Sequence, residues 1–160
     1  MVDRMAKEIE RKFTVIHDGW KAQATASSRF RQGYMGNDDK ASIRVRLEND
    51  RAFLNIKSAT LGIQRHEYEY EIPVSDAEEM LDQLCRKPLI EKVRHFVEFE
   101  GNTWEVDVFE GDNAGLVVAE IELEDEQETF SVPDWAGEDV SHDTRYYNVC
   151  LVKHPYKDWS

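Results

Sequence analysis

Cysteine is scarce in this chain: two residues, Cys85 and Cys150, in 160. They stand far apart and near no other ligand cluster, which excludes a disulfide scaffold and offers no zinc spacing. Proline (four) and glycine (eight) are also few, and no linker or low-complexity tract interrupts the pattern, so one domain over 1–160 is expected. No apolar run approaches the roughly 20 residues that span a bilayer, and the first residues lack a signal-peptide core. A cytoplasmic protein without a membrane partner is the expectation. Basic residues are outnumbered, 20 Lys+Arg against 33 Asp+Glu, for a formal net charge of -13. That balance argues against nucleic acid as the main partner. It does not exclude a small anion, because a divalent cation inverts the field around it.

What is present is alternation. Eight strand-like segments run over 6–16, 29–35, 41–49, 51–58, 64–73, 89–99, 103–109 and 116–124, with hairpin turns at 49–51 and 100–102. The spacing predicts a helix over 18–28 opened by Asp18. A second is predicted over 75–85, with Ser75 and Glu78 as a capping box and Ala77, Met80, Leu81 and Leu84 on one face. A last helix is expected from about Ser141 or Asp143 to Val152. Many short strands with few helices predict a mainly β (α+β) fold: an eight-stranded antiparallel β-barrel, closed so that no edge is exposed.

Side chains two apart on a strand share a face. Glu8, Glu10 and Lys12 therefore lie together, opposite Ile9 and Phe13. By the same parity Arg44 pairs with Arg46, Glu67 with Glu69, Lys92 with Arg94, Glu105 with Asp107, and Glu120 with Glu122. A solvated sheet face alternates in the same way. The grouping by sign argues for more. Acid pairs and base pairs occupy different strands, and carboxylates about 6.5–7 Å apart repel unless a cation sits between them. Mg²⁺ or Mn²⁺ suits such carboxylates, and Arg and Lys suit phosphate. The charged faces would line a lumen, the apolar faces would point outward under helices, and a charged lumen must be wet or filled by ligand.

Glu8-x-Glu10-x-Lys12, followed in order by Arg44-x-Arg46, Lys57, Glu67-x-Glu69, Lys92-x-Arg94, Asp107 and Glu120-x-Glu122, resembles the signature of the CYTH superfamily, the triphosphate tunnel metalloenzymes. Arg31-Gln-Gly-Tyr34, Ile90-Glu-Lys-Val-Arg94 and Arg145-Tyr-Tyr-Asn148 are similar to its compact bacterial branch. The resemblance implies a tunnel in which Lys12, Arg44, Arg46, Lys57, Lys92 and Arg94 bind phosphates. It implies Glu8, Glu10, Glu120 and Glu122 as metal ligands, with Asp107 and Glu69 secondary. Glu8, Glu10, Lys92 and Tyr34 would act in catalysis, Tyr34 from near the phosphates. The implied activity is metal-dependent hydrolysis of inorganic tripolyphosphate, with ATP or thiamine triphosphate as further substrates, in a monomer or homodimer. A class IV-like adenylyl cyclase is the second reading, although Arg4-Met-Ala-Lys7 stands where cyclases carry a His-Phe pair. A polyphosphate-binding module without turnover is the third; it would need the bases but not the four glutamates.

The five histidines form no HxxxH or HExxH motif. Gly111–Gly115 lacks the Lys-Ser/Thr of a phosphate loop and reads as a turn. Tyr146 and Tyr147 are expected to pack the last helix.

Overall fold

The computed structural model describes residues 7–37, 40–58 and 63–159. Its strands are β1 (Lys7–Val15), β2 (Ala24–Asn37), β3 (Ala41–Glu48), β4 (Arg51–Ser58), β5 (Gln64–Ile72), β6 (Ile90–Phe99), β7 (Asn102–Phe109), β8 (Val117–Leu123) and β9 (Ala136–Asp139). The α-helices are α1 (Val74–Gln83) and α2 (Asn148–Lys153). Eight antiparallel strands follow the order β5-β4-β3-β2-β6-β7-β8-β1, and β5 pairs back onto β1. That returning seam is short: Lys7↔His66, Glu8↔Arg65 and Ile9↔Gln64. Beyond it, the C-terminal half of β1 takes β9 as its neighbour. Among the described residues no helix is long and apolar enough to cross a membrane.

The alternation sorts the two faces as expected. Ile9, Phe13, Val97, Trp104, Val106, Ala119 and Ile121 form one outer core, which Trp20 and Trp135 cover. Val45 and Ala52 form another beneath Ala77, Leu81 and Cys85, so α1 lies over β3 and β4. Of these two outer cores, the second is the one that an α-helix covers among the described residues. The first is roofed by loop aromatics, with Trp104 in edge contact with Phe130 and Trp135.

Four local expectations are corrected. The helix predicted over 18–28 is a 3-10 turn, Asp18–Gln23, started by His17, whose Nδ1 accepts from the Gly19 N–H at 3.0 Å. From Ala24 the chain is already β2, because Ala24 to Gln32 pairs along β6 and this ladder outweighs a weak helical propensity. The N-cap of α1 is Pro73, with no side-chain cap bond, so the Ser75–Glu78 box does not form. The last helix begins only at Asn148, after a 3-10 turn (Thr144–Tyr146) capped by Asp143. β9 was not anticipated; four residues with two acids carry little strand signal, and β1 supplies its partner.

Gly33 shows how tightly α1 is seated. A Cβ there would lie 2.7 Å from Cys85 Cβ and 2.8 Å from Leu89 Cδ2. The Arg86 N–H also donates to the Tyr34 carbonyl at 3.0 Å, so the chain leaving α1 rests directly on β2. Gly33→Ala is expected to destabilise by about 1–3 kcal/mol through overpacking. That corresponds to a melting temperature lower by roughly 2–12 °C. A variant melting with the wild type would show that the Cys85–Leu89 segment yields freely.

Candidate active site

The inward faces enclose a cavity of about 300 Å³ that changes character along its length. At one end Tyr34, Ile90, Phe109 and Val118 share the inward parity with the charged residues and pack against Leu151 and Val152 of α2. An apolar plug therefore closes that end. The next layer is polar yet buried: Lys12, Gln32, Arg44, Asn55, Lys92, Asp107 and Glu120. Toward the other end Arg46, Arg94, Glu105 and Glu69 are progressively more exposed, with 13%, 16%, 35% and 40% of their side chains accessible. The lumen is thus a pocket with a wet mouth and a dry floor.

Strand register brings the acids and bases together. Glu10 stands opposite Glu122, and Lys12 opposite Glu120. Lys12 Nζ lies 3.1 Å from Glu120 Oε2. Lys57 Nζ lies 3.0 Å from Glu8 Oε1 and 3.8 Å from Glu67. Arg44 approaches Glu67 at 3.8 Å, and Arg46 pairs with Glu69 and, at 3.4 Å, with Glu48. Lys92 and Arg94 both donate to Asp107, at 2.7 and 2.8 Å, and Arg94 also reaches Glu105 and Glu120. Phe30 lies beneath three of the bases: Arg94, Arg46 and Lys92 sit 4.9, 5.5 and 5.6 Å from its ring centre. That aromatic face holds the cations together where mutual repulsion would spread them.

The proton affinities follow from this crowding. Burial, then the charges of Glu120 and Glu8, push Glu10 up to about 8. Burial raises Glu105 to about 7 despite Arg94. Burial, with Glu8 and Glu67 nearby, also raises Glu122. Burial brings Lys92 down to about 8, although Asp107 opposes it. For Asp107 and Glu120 burial favours the neutral acid, but the adjacent cations outweigh it and hold both below the ordinary carboxylate range.

Of the residues expected from sequence, Glu8, Glu10, Arg44, Arg46, Lys57, Glu69, Lys92, Arg94, Glu120 and Glu122 line this one cavity. Lys12 adjoins it through Glu120. Two stand apart. Asp107 is 1% exposed and engaged by Lys92 and Arg94, inward-facing but beneath the residues that line the cavity. Tyr34 is packed in the plug. Sequence reasoning missed Phe30, Gln32, Glu48, Asn55 and Asn148; Phe30 and Gln32 share the parity of Tyr34, which was the available signal. Lys153 is exposed on α2.

A divalent cation suits this donor set by chemistry. The donors are hard carboxylate oxygens, and Glu10 carries a repulsion that a cation relieves. Among the described residues no three carboxylate, histidine or cysteine groups form a complete cage. Coordination of the kind Mg²⁺ adopts, with one or two carboxylates and the rest from water and phosphate oxygens, is what such a set allows.

The profile of the CYTH domain matches residues 6–149. This chain belongs to the CYTH domain family. It is 54% identical over 155 residues to an inorganic triphosphatase of Acetivibrio thermocellus, covering 97% of this chain and 99% of that one. It is 36% identical over 151 residues to an inorganic triphosphatase of Nitrosomonas europaea, covering 91% and 96%. Among solved structures, a crystal structure of an inorganic triphosphatase superposes with a TM-score of 0.65 at 32% identity, over 91% of this chain and 93% of that one. Membership in the CYTH family accounts for the ordered acid and base pairs in a single lumen.

Proposed function

We propose that this CYTH protein is a divalent-metal-dependent hydrolase of triphosphates, with inorganic tripolyphosphate as its main substrate. The observation that carries the reading is the combination in one pocket of bases able to grip a polyanion with carboxylates in register across β1 and β8. A binding module would need only the bases. The relatives named as inorganic triphosphatases point the same way.

Arg44, Arg46, Lys57, Lys92, Arg94 and Lys12 bind the phosphate chain, the arginines by paired donors and the lysines as point charges. Their present carboxylate partners hold them extended into the lumen until phosphate oxygens replace those contacts. Glu8, Glu10, Glu120 and Glu122 hold Mg²⁺ or Mn²⁺. When bound, the metal neutralises phosphate charge and helps present the substrate for in-line displacement. Charge that builds on the leaving pyrophosphate is met by the fixed cations on Phe30, which need no reorganisation. The plug limits the substrate to one way in, and exclusion of bulk water strengthens each ion contact at the floor.

The test is phosphate release from tripolyphosphate, ATP and thiamine triphosphate with Mg²⁺ or Mn²⁺, alongside an assay for cyclic AMP. Tripolyphosphate is expected to be cleaved fastest, with metal required and no cyclic AMP formed. No phosphate from any of the three would return the protein to a binding role.

A further inference from the structure

We propose that Gln32 is a catalytic contact that positions the attacking water at the closed end of the pocket; this rests on the triphosphatase reading above. Gln32 is 0% exposed and lines the cavity, yet neither its Nε2 nor its Oε1 has a hydrogen-bond partner among the described residues. Leaving such a group dry and unpaired costs about 1–3 kcal/mol. Either orientation of the amide leaves one donor and one acceptor open, so the orientation does not affect the argument.

Its neighbours define what it meets. Gln32 stands opposite Arg46 on β3 and Ile90 on β6, with Lys92 one step along the same inward face as Ile90. It therefore sits between two phosphate-binding bases and directly above the plug. A triphosphate that enters through the mouth brings one terminal phosphoryl group to this floor, and its leaving pyrophosphate points outward. In-line attack places the water on the far side of that phosphorus, between it and the plug. Of the carboxylates at the floor, Asp107 is committed to Lys92 and Arg94, and Glu120, beside Lys12 and Arg94, is assigned to the metal. The amide of Gln32 has both polarities open. Its N–H donates to a phosphoryl oxygen, and its carbonyl accepts from the water. An acceptor facing a polyanion needs a proton-bearing partner, which a phosphate oxygen lacks and a water provides. Asn148, at the start of α2, lines the same cavity with a second acceptor, Oδ1, that has no partner among the described residues.

In the step, the water oxygen bonds to the terminal phosphorus. The bridging P–O bond breaks, and its electron pair leaves with pyrophosphate. One water proton stays on the incoming oxygen and the other ends on a phosphoryl oxygen, so the products are dihydrogen phosphate and pyrophosphate. Gln32 neither gives nor takes a proton.

The experiment compares wild type with Gln32→Leu, of similar volume, and with Gln32→Asn, which keeps both amide groups on a shorter arm. Single-turnover hydrolysis of tripolyphosphate is read with Mg²⁺, together with its Kd and the melting temperature. The expected result for Gln32→Leu is a roughly 10²-fold slower single-turnover rate, the scale of one lost transition-state hydrogen bond. Its Kd is expected to weaken by no more than about 10-fold, for the one N–H contact to phosphate, well short of the loss in rate. Its melting temperature is expected to be no lower, because no hydrogen bond in the free protein is lost. Gln32→Asn is expected to recover part of the rate. A Gln32→Leu rate within about 3-fold of wild type overturns the proposal. So does a weaker Kd with the rate kept, which would make Gln32 a phosphate ligand only. Absence of hydrolysis by the wild type overturns the triphosphatase reading itself, and this proposal with it.

Discussion

Glu10→Gln is expected to slow tripolyphosphate hydrolysis by at least roughly 10²–10³-fold while leaving the barrel folded. The loss corresponds to about 3–4 kcal/mol of transition-state stabilisation. Glu10 faces Glu122 across the β1–β8 ladder and feels both Glu120 and Glu8, so it holds the centre of the carboxylate set. The same crowding gives the variant a second signature. Burial and those neighbours raise the folded pKa of Glu10 from 4.5 to about 8. A group raised in the folded state contributes its stability fully below its unfolded pKa and loses it as pH rises through the folded one. Metal-free wild type should therefore weaken between about pH 5 and 8, and Glu10→Gln should lose that part of the slope. Below pH 8 a divalent ion must also displace the Glu10 proton. Calorimetry in buffers of different ionisation enthalpy should detect proton release on metal binding at pH 7 and little at pH 9. Near wild-type turnover by Glu10→Gln, or metal binding without proton release at pH 7, would remove Glu10 from the metal site.

Asp107→Asn is expected to be the most damaging single change to stability, by about 3–5 kcal/mol. Lys92 and Arg94 both donate to Asp107, and Lys92 and Asp107 are each 1% exposed. Removing the carboxylate charge leaves two cations facing each other with less compensation in a dry layer. Burial already draws Lys92 down to about 8, with Asp107 holding it up. Without that support Lys92 turns neutral near physiological pH and stops attracting phosphate. The melting temperature should fall by roughly 6–20 °C. Tripolyphosphate, which brings negative charge to the same cations, should restore part of it. A variant that melts with the wild type would show that water reaches Lys92 and Arg94 and that the Asp107 contacts contribute little. The expected role of Asp107 is accordingly to set the charge and direction of two phosphate-binding side chains.

Much of this site was legible because a strand repeats every two residues. Once Glu8, Arg44, Lys92 and Glu120 lie on strands, parity alone puts each set on one face, opposite Ile9, Val45 and Ile121. That this face is the inner one followed from the grouping by sign and the CYTH resemblance, and the covered outer cores agree with it. Local elements were less legible. Residues 24–28 became strand because β6 was there to pair with them, and 136–139 because β1 had an edge to offer. No property of those short stretches announces a partner distant in sequence.

The sequence by itself determined the mainly β fold and the eight barrel strands, which follow from side-chain period and composition, and which acids and bases share a strand face; that these faces line one lumen was what the grouping by sign and the CYTH resemblance implied. Tertiary structure alone decided the depth of that lumen. The packing of α2 against Tyr34, Ile90, Phe109 and Val118 closes one end. Closure then dries the adjacent layer, draws Lys92 toward neutrality, and leaves the amide of Gln32 without a partner among the described residues. Burial depends on what the whole chain excludes from water, and no single strand encodes it.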